Sequence, residues 1–250
     1  MFMKVLILAA GYGTRLYPLV KDTPKPLLQI GNRPLIDFLL DRVANLKDLS
    51  EVLVVTNNKF TAHFKDWAKK HKGYKVPITI INDGTETPDD RLGSVGDINF
   101  TLEQEPMSED LLVIGGDNLF DYNLDKYLIF ARKNSPHITI GVYDIGDLNK
   151  AQQFGVVVMD KAGQIISFQE KSESPSSSLV SMCFYYFPQS SLKLVKEYLK
   201  QSKKTDNAGN YIQWVAEKDK VYGFTFEGKW YDIGSIESYF EAQERFAGGK

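Results

Sequence analysis

The stretch Leu8-Ala9-Ala10-Gly11-Tyr12-Gly13-Thr14-Arg15-Leu16-Tyr17-Pro18, continued by Thr23-Pro24-Lys25-Pro26-Leu27-Leu28, decides how the chain folds. It follows Val5 to Ala9, which is apolar throughout, as a strand covered on both faces is. Glycines directly after a buried strand let the backbone turn tightly and approach a ligand with no Cβ in the way. Successive amides in such a turn form a concavity for an anion. Arg15 and Lys25 add fixed positive charge to the same loop, so polyphosphate is its natural occupant. A dinucleotide fingerprint needs Gly-x-Gly-x-x-Gly opening straight into a helix. Here Leu16 holds the third glycine position, and Pro18, Pro24 and Pro26 forbid an immediate long helix. The Gly-Lys-Ser/Thr of a P-loop is absent as well. The plain alternative is a glycine-rich turn with no ligand.

Working outward, β-branched runs alternate with amphipathic ones. Pro34 opens a helix in which Leu35, Ile36, Leu39, Leu40 and Val43 recur at helical spacing. Val52-Leu53-Val54-Val55 is the next strand and Lys59 to Lys70 the next helix. Ile78 to Ile81 is a third strand, and Leu111 to Ile114 a fourth that ends on Gly115-Gly116-Asp117-Asn118. This alternation predicts an α/β fold with a doubly wound, mainly parallel, Rossmann-like sheet. After about residue 136 strands dominate: Ile138 to Val142, Gly155 to Met159, Gln164 to Phe168 and Val180 to Phe187, with a hairpin turn at Met159 to Gly163. Helices return at Ser190 to Gln201, Asn210 to Glu217 and Ser235 to Phe246. The expected organisation is one domain over residues 1–250, with a nucleotide-binding half (1–136) and a mixed-strand sugar-phosphate-binding half (137–250).

Composition fits that class. The 250 residues are 43% hydrophobic, 12% aromatic and 25% charged, the proportions of an ordinary globular protein. Lys and Arg number 30 against 32 Asp and Glu, a net charge of -2. General nucleic-acid binding needs a clustered basic excess and is not expected. The first apolar run is too short to span a membrane and has no signal-cleavage pattern, so the chain is read as cytoplasmic without a membrane partner. One cysteine, Cys183, excludes an intramolecular disulfide and a Cys-based metal site. It sits in the apolar run Met182 to Phe187 and is read as a core residue with nothing nearby to activate a thiolate.

Gly11-x-Gly13-Thr14-Arg15 followed by Pro24-Lys25-Pro26-Leu27 resembles the pyrophosphorylase loop of the sugar-1-phosphate nucleotidylyltransferases. That family includes glucose-1-phosphate thymidylyl-, uridylyl- and cytidylyltransferases and mannose-1-phosphate guanylyltransferases. The resemblance continues through Gly115-Gly116-Asp117-Asn118, Phe154-Gly155-Val156-Val157, Glu170-Lys171 and Trp230-Tyr231-Asp232-Ile233-Gly234, in the family's order and over nearly the whole chain. It implies a nucleotide-diphospho-sugar transferase fold and the joining of a nucleoside triphosphate to a sugar 1-phosphate with release of pyrophosphate. It also implies Mg²⁺ as cofactor, held by Asp117 and Asp232. By the same resemblance Arg15 and Lys25 are catalytic, Arg15 supporting the departing pyrophosphate and Lys25 reaching the α-phosphate. Ala9, Ala10, Gly11, Gly13 and Thr14 are nucleotide contacts. Gly155, Glu170, Lys171 and Val180 form the sugar-phosphate site. Taken singly, Asp117 reads as a cap or turn residue, Asp232 as a turn aspartate and Glu170-Lys171 as solvated charge.

The chain departs from the family pattern in places. Ile81 to Asp97 is longer and more acidic than the base-reading loop of relatives, and is read as a lid or a homo-oligomer contact. Asn82 and Gly93, with Ser94 beside them, are the candidates for base contacts. Asn offers both a donor and an acceptor, so it selects no base. Met182 stands where many relatives have glycine, filling space beside the sugar. Asp206 to Asn210 reads either as a polar loop facing the sugar or as a helix cap. No C-terminal β-helix is expected. Two other readings stay open: a cytidylyltransferase for phosphocholine or a polyol phosphate, and a non-catalytic nucleotide or nucleotide-sugar sensor.

Overall fold

The computed structural model describes residues 2–202 and 207–246. The first half contains β1 (Met3–Leu8), β2 (Gln29–Ile30), β3 (Arg33–Pro34), α1 (Leu35–Ala44), β4 (Leu49–Thr56), α2 (Thr61–Lys70), β5 (Ile78–Asn82), α3 (Gly93–Gln104), β6 (Asp110–Gly115), β7 (Asn118–Phe120) and α4 (Asp125–Lys133). The second contains β8 (Ile138–Asp144), α5 (Leu148–Ala151), β9 (Gly155–Met159), β10 (Ile165–Glu170), β11 (Leu179–Phe187), α6 (Lys193–Gln201), α7 (Ala208–Ala216), β12 (Val221–Thr225), β13 (Trp230–Asp232) and α8 (Ile236–Phe246).

A nine-stranded sheet runs through both halves, its main path ordered β10-β9-β11-β6-β1-β4-β5. β5, β4, β1 and β6 are mutually parallel, so their carboxyl ends share one edge, where open α/β sheets bind ligands. β11 runs antiparallel and forks. Its later residues, Phe184 to Phe187, pair with β6, while Val180 and Ser181 pair with β9. Throughout, β11 also leans on β8, which carries β12 on its far side. The fork opens a gap between β9 and β6 beside the end of β6.

Alternation along β1 explains why both faces are covered. Met3, Val5 and Ile7 enter one apolar cluster with α1, α2 and α4, and Leu6 enters the other with α3, α6 and α7. Pro34 caps α1 with extended backbone, Asp37 lies in its first turn and Arg42 in its last, matching the helix dipole. Leu35, Ile36, Leu39, Leu40 and Val43 are all buried, as their spacing predicts. The expected hairpin is present: Asp160 Oδ1 accepts from the amides of Ala162 and Gln164, and Gly163 takes φ +84°.

Some elements differ from expectation. The helix assigned from Ser190 starts at Lys193, after a separate 3-10 turn at Gln189–Ser191. The helix assigned from Asn210 starts at Ala208. The ribbon of β7 and β13 was invisible in the sequence because each strand is only three residues long. Among the described residues no β-helix occurs, and no helix is long and apolar enough to cross a membrane.

Candidate active site at the carboxyl edge of the sheet

Ala9 extends the β1 ladder by one bond, its amide donating to Val55 O at 2.8 Å, and both Ala9 and Ala10 are buried. The chain then turns outward. Nothing stands within 4 Å of the place a Cβ would take on Gly11, so that backbone is open to a ligand. Gly13 adopts φ +61°, which favours glycine, and caps the short turn Thr14–Leu16. Leu16 anchors the turn in a small apolar cluster with Val20 and Leu28, leaving Thr14 and Arg15 exposed. Tyr12 points inward, and its hydroxyl donates to Thr85 Oγ1 at 3.2 Å.

Lys25 opens the short turn Lys25–Leu27 and its Nζ meets Asp117 Oδ2 at 2.7 Å, across 92 positions of sequence. Gly116 makes the approach possible. A Cβ there would lie 2.8 Å from Leu8 O and 2.9 Å from Pro26 Cγ, so only glycine lets the end of β6 pack beneath the glycine loop. The β7/β13 ribbon brings in the second carboxylate by pairing Asp232 with Asn118, next to Asp117. It is pinned by Trp230 Nε1 donating to Asn118 Oδ1 at 2.6 Å and by Ile233 N donating to Asp117 O at 3.0 Å.

Charge in this corner is unevenly held. Burial opposes ionisation of Asp117, but Lys25 at contact distance, with Arg15 behind it, outweighs that and keeps the carboxyl below the usual range. Burial raises Asp232, the negative charge of Asp117 adds to it, and Lys25 and Arg15 only partly offset both, leaving Asp232 at about 6. The pair therefore wants a cation.

On the other side of the corner, Glu170 ends β10 and Gly155 begins β9, opposite it in the ladder. Glu170 is half-buried against Gly155 and Gly209 and accepts a short hydrogen bond from Asn207 Nδ2. Burial raises its carboxyl, while Asn207 and Lys171 pull it down. Lys171 is exposed and is the one described non-glycine residue at positive φ, 48°, its amide held by Phe154 O at 3.0 Å. Strain of this kind gathers at ligand clamps. Val180 is fully buried in β11, its side chain in the core between β8 and β9.

One sequence reading needs correction here. Met182 does not fill the sugar side: it is fully buried, and its sulfur accepts from the Tyr122 hydroxyl at 3.3 Å. Strand alternation sends its neighbour Cys183 to the opposite face instead, with its Cβ against Gly115. Burial, then the charges of Asp117 and Asp232, push that thiol well up, which keeps it inert. Asn207 caps α7, its Oδ1 accepting from Gly209 N at 3.0 Å, and at the same time grips Glu170. Both readings of that segment thus apply to one residue, while Asp206 lies outside the described residues.

Towards the nucleotide side, Asn82 Nδ2 donates to Asn58 Oδ1 at 2.7 Å and its Oδ1 accepts from Gly84 N at 3.0 Å, so its amide is committed to the loop. Gly93 starts α3 with φ +76°. The acidic segment is knitted to itself and to the sheet edge. Asp90 accepts from the amides of Glu86 and Thr87, Glu86 accepts from Asn58, and Thr85 is buried.

The profile of the nucleotidyl transferase family matches residues 4–248. The chain belongs to that family. Among curated members of known sequence, it is 30% identical over 249 residues to a glucose-1-phosphate adenylyltransferase of Fervidobacterium nodosum, covering 94% of this chain and 59% of that protein. It is also 30% identical over 257 residues to the enzyme of that name from Fusobacterium nucleatum subsp. nucleatum, covering 95% and 65%. The chain thus spans about three fifths of the length of these curated relatives. In three dimensions it superposes on a glucose-1-phosphate thymidylyltransferase from Bacillus anthracis in complex with a sucrose, with TM-score 0.84 and 21% identity over 99% and 96% of the two chains. A UDP-glucose pyrophosphorylase complexed with UDP-glucose gives 0.83 and 22% over the full length of both. These likenesses establish that the family fold is the one described above.

Within this family member, the expected residues Arg15, Lys25, Asp117 and Asp232 meet in one corner, and Gly155, Glu170 and Lys171 in its neighbour. Sequence reasoning missed Asn207 as the partner of Glu170 and Tyr12 as the buried anchor of the phosphate loop. An Asn two residues before a helical glycine was the available signal for the first.

Proposed function

We propose that this chain transfers a nucleotidyl group from a nucleoside triphosphate to a sugar 1-phosphate, giving a nucleotide sugar and pyrophosphate. The observation that carries the reading is the Lys25–Asp117 contact at 2.7 Å with Asp232 on the adjoining strand, directly under an open glycine loop that carries Arg15. Two polyanions must come together there. Two like charges ~4 Å apart repel by about 4 kcal/mol at an effective dielectric near 20, so the fixed cations are required.

In this reading an oxygen of the sugar phosphate attacks the α-phosphorus in line. The bond from that phosphorus to the bridging oxygen breaks, and its electron pair leaves with pyrophosphate. Loop amides at Ala10 to Thr14 orient the triphosphate, Lys25 lies against its α-phosphate, and Arg15 stabilises charge on the leaving group. Lys171 holds the acceptor phosphate, and Glu170, fixed by Asn207, accepts from sugar hydroxyls. Gly155, packed closely against Phe168 and Glu170, would bring its backbone amide near the sugar. Residues 1–136 would supply the nucleotide half and 137–250 the acceptor half.

Two adjacent carboxylates, one raised by burial and then by the other's charge, fit Mg²⁺, which takes one or two protein carboxylates together with substrate phosphates. Asp117 and Asp232 would hold it, and when bound it would neutralise charge on the phosphates. The single unpaired cysteine is in keeping with a cytoplasmic setting.

Pyrophosphate release across a matrix of the common triphosphates with sugar 1-phosphates, phosphocholine and polyol phosphates tests the proposal. We expect release with at least one sugar 1-phosphate, abolished in Asp117→Asn. Release only with a non-sugar phosphate, or triphosphate binding with no turnover on any acceptor, would overturn it.

A further inference from the structure

The acidic segment between β5 and α3 hides a feature that the proposed reaction does not use. Asp83 and Asp97 are 7% and 6% exposed, and their carboxyl groups lie close enough to perturb each other's ionisation. Asp83 Oδ2 and Asp97 Oδ1 are both buried with no hydrogen-bond partner among the described residues. Two carboxylates cannot bond unless one carries a proton, and two bare charges buried together would be prohibitively costly.

Asp83 Oδ1 is fully engaged elsewhere. It accepts from Thr85 N at 2.7 Å and from Thr85 Oγ1 at 2.8 Å, and Thr85 Oγ1 in turn accepts from the Tyr12 hydroxyl. Tyr12 sits between Gly11 and Gly13, at the crest of the phosphate loop. Asp97 lies near the start of α3, a turn after Gly93, with Val95 and Ile98 rooted in the core. An unbroken chain of buried polar groups therefore runs from the start of α3 through Asp97, Asp83 and Thr85 to the loop.

We propose that Asp97 and Asp83 share a single proton, and that this carboxyl pair is the positioning device that fixes the triphosphate-binding loop through Thr85 and Tyr12. The proposal rests on the nucleotide reading of that loop given above. Asp97 is the protonated partner. Burial and then the charge of Asp83 push it up to about 8, so it is neutral and able to donate through the neutral range. Asp90, from the same segment, further disfavours charge on Asp83. The other elements packed on α3 do not change this assignment. α7 carries no charged residue, Lys4 of β1 is paired with Glu51, and Lys193 and Lys196 of α6 meet α3 further along, beside Asn99 and Glu103.

Because the folded-state value lies above that of an exposed aspartate, the stability contributed by the neutral form is complete in acid and is lost as pH rises through about 8. Above that pH the donor is gone and the loop is no longer held. Asp97→Asn supplies an amide donor that does not titrate.

The test measures triphosphate affinity by calorimetry with a panel of ATP, GTP, CTP, UTP and dTTP at pH 6.5 and pH 9.5. Wild type, Asp97→Asn and Tyr12→Phe are compared, with thermal melting recorded on the same samples. We expect wild type to bind about tenfold more weakly at pH 9.5, the size of one charged-group hydrogen bond. Asp97→Asn should hold its pH 6.5 affinity at both values, and Tyr12→Phe should bind weakly at both. The melting point should fall with pH in wild type but not in Asp97→Asn. Equal pH dependence of binding in wild type and Asp97→Asn would overturn the proposal. If no triphosphate binds any variant, the nucleotide reading fails and the positioning role with it, while melting still reports whether the proton is shared.

Discussion

Lys171 shows how much one residue can disclose about its task. Its backbone is held at φ 48° by the bond to Phe154 O, a conformation that costs a side-chain-bearing residue about 1–2 kcal/mol. No ion pair or side-chain hydrogen bond of its own offsets that cost among the described contacts, and the proposed grip on the acceptor phosphate would account for it. Lys171→Gly should therefore separate function from stability. Relief of strain and the added freedom of the unfolded chain, about 0.5–1 kcal/mol, nearly cancel, so the melting point should hold or rise slightly. The KM for the acceptor phosphate should rise about tenfold to a hundredfold, as for loss of one charged hydrogen bond. A destabilised variant with unchanged acceptor KM would show Lys171 to be structural. Lys25 and Asp117 were legible in the sequence as charged residues beside glycine and proline, because those neighbours permit only close backbone packing. Met182 was misassigned, because at the fork in β11 the inward and outward faces cannot be counted from the apolar run alone.

At the scale of elements, one side chain links the start of α7 to the acceptor corner by hydrogen bonds. Asn207 satisfies the Gly209 amide with one end of its amide group and Glu170 with the other. Replacing it by alanine should remove a cap worth about 1 kcal/mol of stability. It should also free Glu170, raising the acceptor KM while leaving the triphosphate KM unchanged. Parallel rises in both constants would mean that α7 supports the site only through the general fold. The strands β1, β4, β5 and β6 were readable because each holds a short run of apolar and β-branched residues, and α1 because its apolar residues repeat at helical spacing. The β7/β13 ribbon was not readable, since three-residue strands carry no period. Its partner choice is set by the Trp230–Asn118 bond, which exists only once the sheet has formed.

For the molecule as a whole, the sheet is what would let the two proposed substrates meet. The four parallel strands end on one edge and present the glycine loop, and the forked β11 joins that edge to the antiparallel strands that carry Gly155 and Glu170. Since β11 hydrogen-bonds to β6 in one half and β9 in the other, neither half should unfold alone. Calorimetry should give one transition with matching calorimetric and van't Hoff enthalpies, and two resolved transitions would show separable halves. The near-zero net charge conceals a local arrangement in which, on the proposed function, Arg15, Lys25 and Lys171 would face anions and two aspartates a cation.

The proposed transfer is defined by which oxygen attacks which phosphorus. The measurement is the fate of ¹⁸O placed in the non-bridging phosphate oxygens of the sugar 1-phosphate, followed by mass spectrometry after turnover with the preferred triphosphate. In-line attack on the α-phosphorus predicts that all of the label stays in the nucleotide sugar and that pyrophosphate carries none. Label in pyrophosphate or in free phosphate, or product formed at the wild-type rate by Asp117→Asn, would contradict it.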